Sequence, residues 1–182
     1  MHKNLPNFFI FLDEYNSKIF KNKNINIGII YRNYKDRKRE NQLIKIAKAC
    51  KKKRYQLFVS NDIKLAHKVK ADGIYVPSFN KTKKFSNLEK KNLIIIGSAH
   101  NQKEIHTKIT QKCDAIFLSP IFLTNKYNNK KHLDIARFNL LCLRNKITFY
   151  ALGGINQKNL VKLKLLKIMG FGGISLFKKK PA

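Results

Sequence analysis

Two glycine strings near the C-terminus have the residue types that could hold a phosphate group. Residues 151–156 read Ala-Leu-Gly-Gly-Ile-Asn, and residues 170–175 read Gly-Phe-Gly-Gly-Ile-Ser. Glycine lets backbone N–H groups approach a ligand closely. Asn156 can cap a helix over residues 157–167, whose N-terminus would add a partial positive charge. These features suit a phosphate, but taken alone they fit two tight turns equally well.

Polar side chains also follow the short apolar runs that lie upstream of these strings. They are Arg32, Asn61, Asp62, Ser98, His100, Ser119, Thr124 and Lys126. If the runs are parallel β-strands, ligands bind beyond their C-terminal ends. We therefore expect these side chains and the glycine strings to meet at one rim, formed by the C-terminal ends of the strands and the loops that follow them.

The apolar runs predict the elements that would position these residues. Runs rich in Ile, Val and Phe that are apolar throughout are typical of strands buried on both faces of a parallel sheet. The predicted strands are residues 8–12, 25–31, 56–60, 73–76, 93–97, 115–118, 148–152 and 173–177. The predicted helices are residues 37–52, 63–69, 86–91, 102–110, 135–144 and 157–167, with Asp62, Asn101, Asp134 and Asn156 able to cap four of them.

Steady alternation of strand and helix predicts an α/β fold. Eight strands fit either a compact (β/α)8 TIM barrel or a doubly wound open sheet. The chain has 182 residues, which is short for the barrel, and the early helices must be shortened. Residues 13–24 leave too little room for a regular first helix, and residues 80–84 lead into only a stub. No linker is visible, so we expect residues 1–182 to form a single domain.

The net charge of +29 would attract nucleic acid, anionic membranes or phosphorylated metabolites. However, the lysines are scattered through nearly every polar stretch, and the aromatic residues lie inside apolar runs instead of along basic loops. We interpret most of the charge as solvated surface. The expected partner is an anionic small molecule, with no specific nucleic acid and no membrane, and the oligomeric state is left open.

The three cysteines, Cys50, Cys113 and Cys142, are odd in number and have no metal-binding spacing. This pattern is typical of reduced thiols in a cytoplasmic protein. Residues 1–12 lack the pattern of a signal peptide, and no apolar stretch is long enough to span a membrane.

The order of the motifs resembles the thiamine-phosphate synthase family, which includes the thiazole tautomerases. Residues 119–124 read Ser-Pro-Ile-Phe-Leu-Thr, similar to the Gly/Ser-Pro-Val-Phe-Pro-Thr loop of that family. Asn61 and Asp62, followed by Ala-Asp-Gly-Ile-Tyr at residues 71–75, resemble its Asn-Asp and Ala-Asp-Gly-Val-His segments. Residues 151–155 match its Ala-Ile-Gly-Gly-Ile strand end, and Arg32 stands where the family has an arginine on the second strand.

This resemblance implies a closed barrel and a specific reaction. Hydroxymethylpyrimidine diphosphate and thiazole phosphate would be joined to give thiamine phosphate and diphosphate. Arg32 would bind the diphosphate, because guanidinium matches phosphate oxygens. Asp62, with Asn61 beside it, would hold Mg²⁺. The remaining predicted contacts with substrate are Asn61, Ser98, Ser119, Thr124, Lys126, Gly153, Gly154 and Gly173.

Three positions depart from the family pattern on the diphosphate side. Tyr34 stands where the family has a lysine, and Asn80 falls near its second metal carboxylate. The lysine that follows Thr124 is shifted to Lys126. A neutral amide is a weaker Mg²⁺ ligand than a carboxylate, so the resemblance implies a weakened metal site, with Lys126 and Lys178 able to replace some of the charge.

Two other functions remain open at this point. A thiazole tautomerase would place a histidine in the sixth rim loop, where this chain has Pro120, so that His100 would have to carry the proton. Alternatively, the chain is a non-catalytic homologue that binds a phosphorylated ligand.

Overall fold

The chain folds into a closed barrel of eight parallel strands in the computed structural model, which describes residues 4–21, 26–34, 39–85, 93–124 and 132–173. Each strand pairs with the next along the chain, and β8 returns to pair with β1. This confirms the compact (β/α)8 barrel and excludes the open sheet. The strands are β1 Phe8–Leu12, β2 Ile27–Tyr31, β3 Gln56–Ser60, β4 Gly73–Val76, β5 Ile94–Ala99, β6 Ala115–Leu118, β7 Thr148–Leu152 and β8 Gly170–Gly173.

In the described ranges, four α-helices surround the barrel: α1 Arg39–Lys53, α2 Ile63–Lys68, α3 Gln102–Thr110 and α4 Asp134–Leu143. The shortened early helices are confirmed, because a three-residue 3₁₀ turn, Ile19–Lys21, stands in place of the first helix. Residues 83–85 form a second 3₁₀ turn. The helix predicted at residues 86–91 lies outside the described residues.

The helix predicted over residues 157–167 is wrong. A turn over residues 157–159 leads instead into a 3₁₀ helix, Leu160–Leu165. Asn156 Oδ1 does accept from the backbone N–H groups of Lys158 and Asn159, at 2.9 and 3.2 Å. However, the Asn159 side chain donates back to Gly154 O at 2.8 Å. These local side-chain bonds close a turn in competition with a regular helix start.

The eighth strand starts earlier than the predicted 173–177, so the described part of the second glycine string, residues 170–173, is β8 itself and not a rim loop. Residues 174–177 lie outside the described residues. A Cβ at Gly170 would come within 1.8 Å of Asn7 O, and one at Gly172 within 2.9 Å of the Phe117 ring. The glycines are therefore needed for the strand to fit between β1 and β7. Similarly, β5 runs two residues past its predicted end and includes Ser98.

The barrel interior is filled with aromatic side chains. Phe9 lies among Phe58, Phe117 and Tyr150, with ring centroids 5.0 to 5.4 Å apart and edge-to-face geometry. The Tyr150 hydroxyl donates to Pro6 O at 2.7 Å, which satisfies the one polar group of this cluster. Each such ring contributes about 1.5–3 kcal/mol by its burial. This packing places the open space at the C-terminal ends of the strands.

The three cysteines are buried and free, and burial raises the pKa of each thiol to about 12. In the part of the chain that the structure describes, no helix is both long and apolar enough to cross a membrane.

Candidate active site

A cavity of about 1050 Å³ opens at the C-terminal ends of the strands, where the sequence predicted a site. Its floor includes the inward-facing rings of Phe11 and Tyr75. Eight of the predicted site residues line it: Arg32, Ser98, His100, Ser119, Thr124, Gly153, Gly154 and Gly173. Asn61 and Asp62 do not line this cavity, and Lys126 and Lys178 lie outside the described residues. The structure thus brings most of the predicted residues together from five different strand ends.

One wall of the cavity consists of the backbone of Gly153 and Gly154, which have φ values of 94° and 71°. A Cβ at Gly154 would lie 2.4 Å from Leu123 O, and one at Gly153 would lie 2.8 Å from Pro120 Cβ. The loop after β6 lies directly against this backbone, and Ile121 N–H donates to Leu152 O at 3.0 Å. Only glycine fits both the left-handed conformation and this close approach. The wall can therefore offer main-chain groups to a ligand.

Arg32 brings positive charge to the mouth of the cavity directly after β2. Its backbone N–H donates to Leu12 O at 2.8 Å, which continues the β1–β2 pairing. Its Nε lies 3.4 Å from Asp13 Oδ1, and the guanidinium stands 5.6 Å from the centroid of the Phe11 ring. The side chain remains 27% exposed, so it is oriented but still accessible to an anion. The motifs did not predict a role for Asp13, although it directly follows the first strand.

Tyr34 makes the wall beside Arg32 aromatic where the family pattern has a lysine. Its hydroxyl lies 2.6 Å from Ser60 Oγ, and its ring meets Phe79 edge-to-face at 6.1 Å. Burial raises the pKa of Tyr34, and the hydrogen bond to Ser60 only partly opposes that shift. The phenol is therefore neutral at physiological pH, and Arg32 is the cationic side chain among the described residues that line the cavity.

His100 links three rim loops. Its Nδ1 lies 2.8 Å from Ser119 O, which assigns the proton to Nδ1, since a carbonyl can only accept. Its Nε2 lies 3.2 Å from Ser78 Oγ, and its backbone N–H donates to Glu104 Oε2 at 2.8 Å. The imidazole is thereby held in one orientation at the cavity surface. A proton-carrying role for His100 stays a prediction.

Two hydroxyl groups at the cavity have contrasting surroundings. Ser98 is buried and hydrogen-bonded to Tyr75, whose pKa burial raises to about 12. Thr124 Oγ1 is also buried, but it has no hydrogen-bond partner among the described residues. An unmatched buried hydroxyl costs about 1–3 kcal/mol, which a ligand oxygen would offset. Thr124 Oγ1 therefore has hydrogen-bonding capacity that the described residues do not use, whereas Ser98 already has a partner. A ligand contact at Thr124 stays a prediction.

Asp62, the predicted metal ligand, caps a helix. Its Oδ1 accepts from Leu65 N–H at 2.9 Å at the start of α2, and its Oδ2 lies 3.6 Å from Arg39 Nη1. The prediction that Asp62 is a helix cap is therefore confirmed. Neither oxygen is free of a protein partner.

The side-chain oxygens of Asn61 and Asn80 also accept hydrogen bonds from protein groups. Asn61 Oδ1 accepts from Asn80 Nδ2, and Asn80 Oδ1 accepts from both Thr82 N and Thr82 Oγ1. Across the described ranges, no group of three or more His, Cys, Asp and Glu side chains could hold a metal ion. As arranged, these oxygens do not fit a Mg²⁺ site, which needs several oxygens directed at one point.

The sequence model of a family described as thiamine monophosphate synthase matches residues 20–177, which is most of the chain. The chain belongs to this family. The thiamine-phosphate synthase of Prochlorococcus marinus subsp. pastoris is 32% identical over 124 residues, which cover 68% of this chain and 35% of that protein. The enzyme of the same name from Lactococcus lactis subsp. cremoris is 28% identical over 151 residues, covering 82% and 68%.

Among solved structures, a thiamine phosphate pyrophosphorylase from Pyrococcus furiosus superposes with a TM-score of 0.76. The match covers 94% of this chain and 86% of that one, at 18% identity, and supports the same barrel fold. The chain spans little more than a third of the length of the Prochlorococcus relatives that it matches. Membership of the thiamine monophosphate synthase family, expected from the motifs, is thus confirmed.

Proposed function

We propose that this chain joins hydroxymethylpyrimidine diphosphate to thiazole phosphate, giving thiamine phosphate and diphosphate. The observation that carries the proposal is one cavity at the strand ends that combines a glycine backbone wall with a separate cationic wall at Arg32. Family membership supports the same reaction. The two walls suit two different phosphorylated ligands, since one offers main-chain donors and the other a guanidinium.

The reaction breaks the bond between the pyrimidine methylene carbon and the diphosphate oxygen, and the electron pair leaves with diphosphate. The thiazole nitrogen then uses its lone pair to form the new carbon–nitrogen bond. No strong protein base is needed, so catalysis relies on charge at the leaving group and on positioning. In this proposal Arg32 binds the leaving diphosphate, the Gly153–Gly154 backbone binds the thiazole phosphate, and Thr124 Oγ1 donates to a ligand oxygen.

Magnesium, which the family resemblance implies, stays a prediction for this chain. The oxygens of Asp62, Asn61 and Asn80 are engaged with protein partners, so no step is assigned to a metal ion here. Lys126 remains a predicted substrate contact that would add positive charge. The proposal therefore assigns the leaving-group charge to Arg32.

The test compares Arg32→Ala with Arg144→Ala in an assay with both substrates. Arg144 is an exposed arginine at the C-cap of α4 that does not line the cavity. Its replacement by alanine removes the same charge as Arg32→Ala but at a site remote from the cavity lining. We expect Arg32→Ala to lower the rate by about a hundredfold or more, the effect of losing a charge-stabilising donor, while Arg144→Ala stays near wild type. Equal rates for the two variants would contradict the role of Arg32.

A thiazole tautomerase activity is a second candidate, because His100 lines the cavity in a fixed orientation. The same protein would be given the thiazole phosphate isomer alone. Isomerisation that His100→Ala abolishes, without any formation of thiamine phosphate, would favour this candidate. Binding of thiazole phosphate without turnover of any kind would indicate a non-catalytic homologue.

A further inference from the structure

Lys108 on α3 has a fully buried side chain that takes no part in the cavity described above. Its Nζ donates to Pro77 O and Asn80 O, both at 2.8 Å, and to Gln111 Oε1 at 2.9 Å. All three acceptors are uncharged. Burying an ammonium group is unfavourable unless its donors are satisfied, and here three acceptors match its three protons. The charge is thus directed at the backbone of residues 77–82, named here the β4 loop.

Two further features support the contact between α3 and the β4 loop. Gln111 Nε2 donates to Asn80 O at 3.0 Å and to Thr82 O at 2.8 Å. Gly97 leaves room for the lysine stem, since a Cβ there would lie 2.8 Å from Lys108 Cδ. Lys108 on α3 and Gln111 at its C-cap therefore bind three backbone carbonyl groups of the loop. These carbonyls belong to Pro77, Asn80 and Thr82.

The other face of the β4 loop forms part of the cavity. Ser78 and Phe79 line it, with Ser78 Oγ 3.2 Å from His100 Nε2 and the Phe79 ring against Tyr34. Because Phe79 contacts Tyr34, which lies beside Arg32, the β4 loop forms part of the same cavity wall as Arg32. The Gly153–Gly154 wall is supported by a different loop, the one after β6.

We propose that Lys108 is a positioning residue whose buried ammonium fixes the β4 loop, so that Ser78 and Phe79 complete the wall that binds the phosphorylated pyrimidine. The identity of that ligand rests on the proposed function, whereas the effect on the loop does not. Loss of the ammonium makes the β4 loop, and with it the cavity wall beside Arg32, more mobile. The Gly153–Gly154 wall stays unchanged.

The first arm of the test measures amide hydrogen exchange in the free protein for Lys108→Met, with Lys103→Met as the matched control. Lys103 is an exposed lysine on the same helix. Methionine keeps the apolar stem in its buried site, so we expect the variant to fold. The N–H groups of Asn80 and Thr82 should exchange about tenfold faster in Lys108→Met only, with β4 unchanged. Unchanged exchange would overturn the proposal.

The second arm measures calorimetric binding of hydroxymethylpyrimidine diphosphate and of thiazole phosphate. Lys108→Met should weaken the first by about tenfold and leave the second within about twofold, since only one wall depends on the loop. An equal loss for both ligands would mean a general structural role and would refute the positioning role. If wild type binds neither ligand, the proposed function fails, but the exchange arm still decides the role of Lys108.

A pH series supplies a readout that packing alone would not change. Burial lowers the pKa of Lys108 to about 8, and the opposing effects of Cys113 and Glu104 are smaller. Opening of the β4 loop exposes Lys108 to water and returns its pKa toward the ordinary value, so the open state binds more protons between about pH 8 and 10.5. In wild type, exchange of the β4 loop, corrected for its intrinsic pH dependence, should therefore slow as pH rises through that window, and in Lys108→Met it should not. A flat wild-type profile would count against the coupling of the Lys108 amino group to the loop.

Discussion

Replacing Gly154 with alanine tests the backbone wall of the cavity. The new Cβ would lie 2.4 Å from Leu123 O and 2.5 Å from Phe122 O, so the two loops must separate by about 1 Å to reach ordinary contact. Alanine at a φ of 71° costs about 1–2 kcal/mol, and the forced displacement costs about 1–3 kcal/mol. We expect Gly154→Ala to lower the free energy of unfolding by about 3 kcal/mol and Tm by about 10 °C.

The assay combines thermal unfolding with calorimetric titration of each ligand. Because the displaced backbone is the glycine wall, affinity for thiazole phosphate should fall by about tenfold or more, whereas affinity for the pyrimidine diphosphate should change little. Gly153→Ala is the companion variant. Its Cβ meets the Pro120 side chain at 2.8 Å instead of two carbonyl oxygens, so its effect should be smaller. Unchanged thiazole phosphate affinity in a destabilised Gly154→Ala would mean that the Gly153–Gly154 backbone does not bind this ligand.

Three further predictions concern the Arg32 side of the cavity and its support. Tyr34→Lys should raise affinity for the pyrimidine diphosphate by about tenfold relative to Tyr34→Met, because it adds a second cation beside Arg32; calorimetry would show it. Asn80→Asp should introduce a rise in Tm with millimolar Mg²⁺ that wild type lacks, because a carboxylate replaces the amide that donates to Asn61. Lys108 should make unfolding free energy rise with pH between about 8 and 10.5, by at most about 3 kcal/mol relative to Lys108→Met. Its lowered folded-state pKa means that the unfolded chain binds more protons in that window. The same pH dependence of the unfolding free energy for both proteins in urea titrations would contradict this.

The alternation of strands and helices could be predicted from the sequence because apolar runs and helical spacing are local signals. The start of β8 could not, since a string such as Gly-Phe-Gly-Gly has the composition of a turn. Its strand conformation depends on pairing with β1 and β7 after the barrel closes. The helix predicted at 157–167 failed for a related reason, because bonds of the Asn156 and Asn159 side chains close a turn at its start.

Much of the candidate site could be predicted because parallel strands bring their C-terminal ends together, as with Arg32, Ser98 and Gly153. The contacts between loops could not, since they join residues far apart in the chain. The ion pair of Arg32 with Asp13 and the bond of His100 with Ser78 are two examples. Lys108 carried no distinguishing signal among 39 basic residues, because its role depends on burial against the β4 loop.

The proposed synthesis of thiamine phosphate is tested by counting both products that the purified chain forms from hydroxymethylpyrimidine diphosphate and thiazole phosphate. We expect one thiamine phosphate for each diphosphate released, and no release of diphosphate when thiazole phosphate is left out. Intact, folded protein that binds both substrates but forms no thiamine phosphate would contradict it. Diphosphate released at the same rate without thiazole phosphate would contradict it as well.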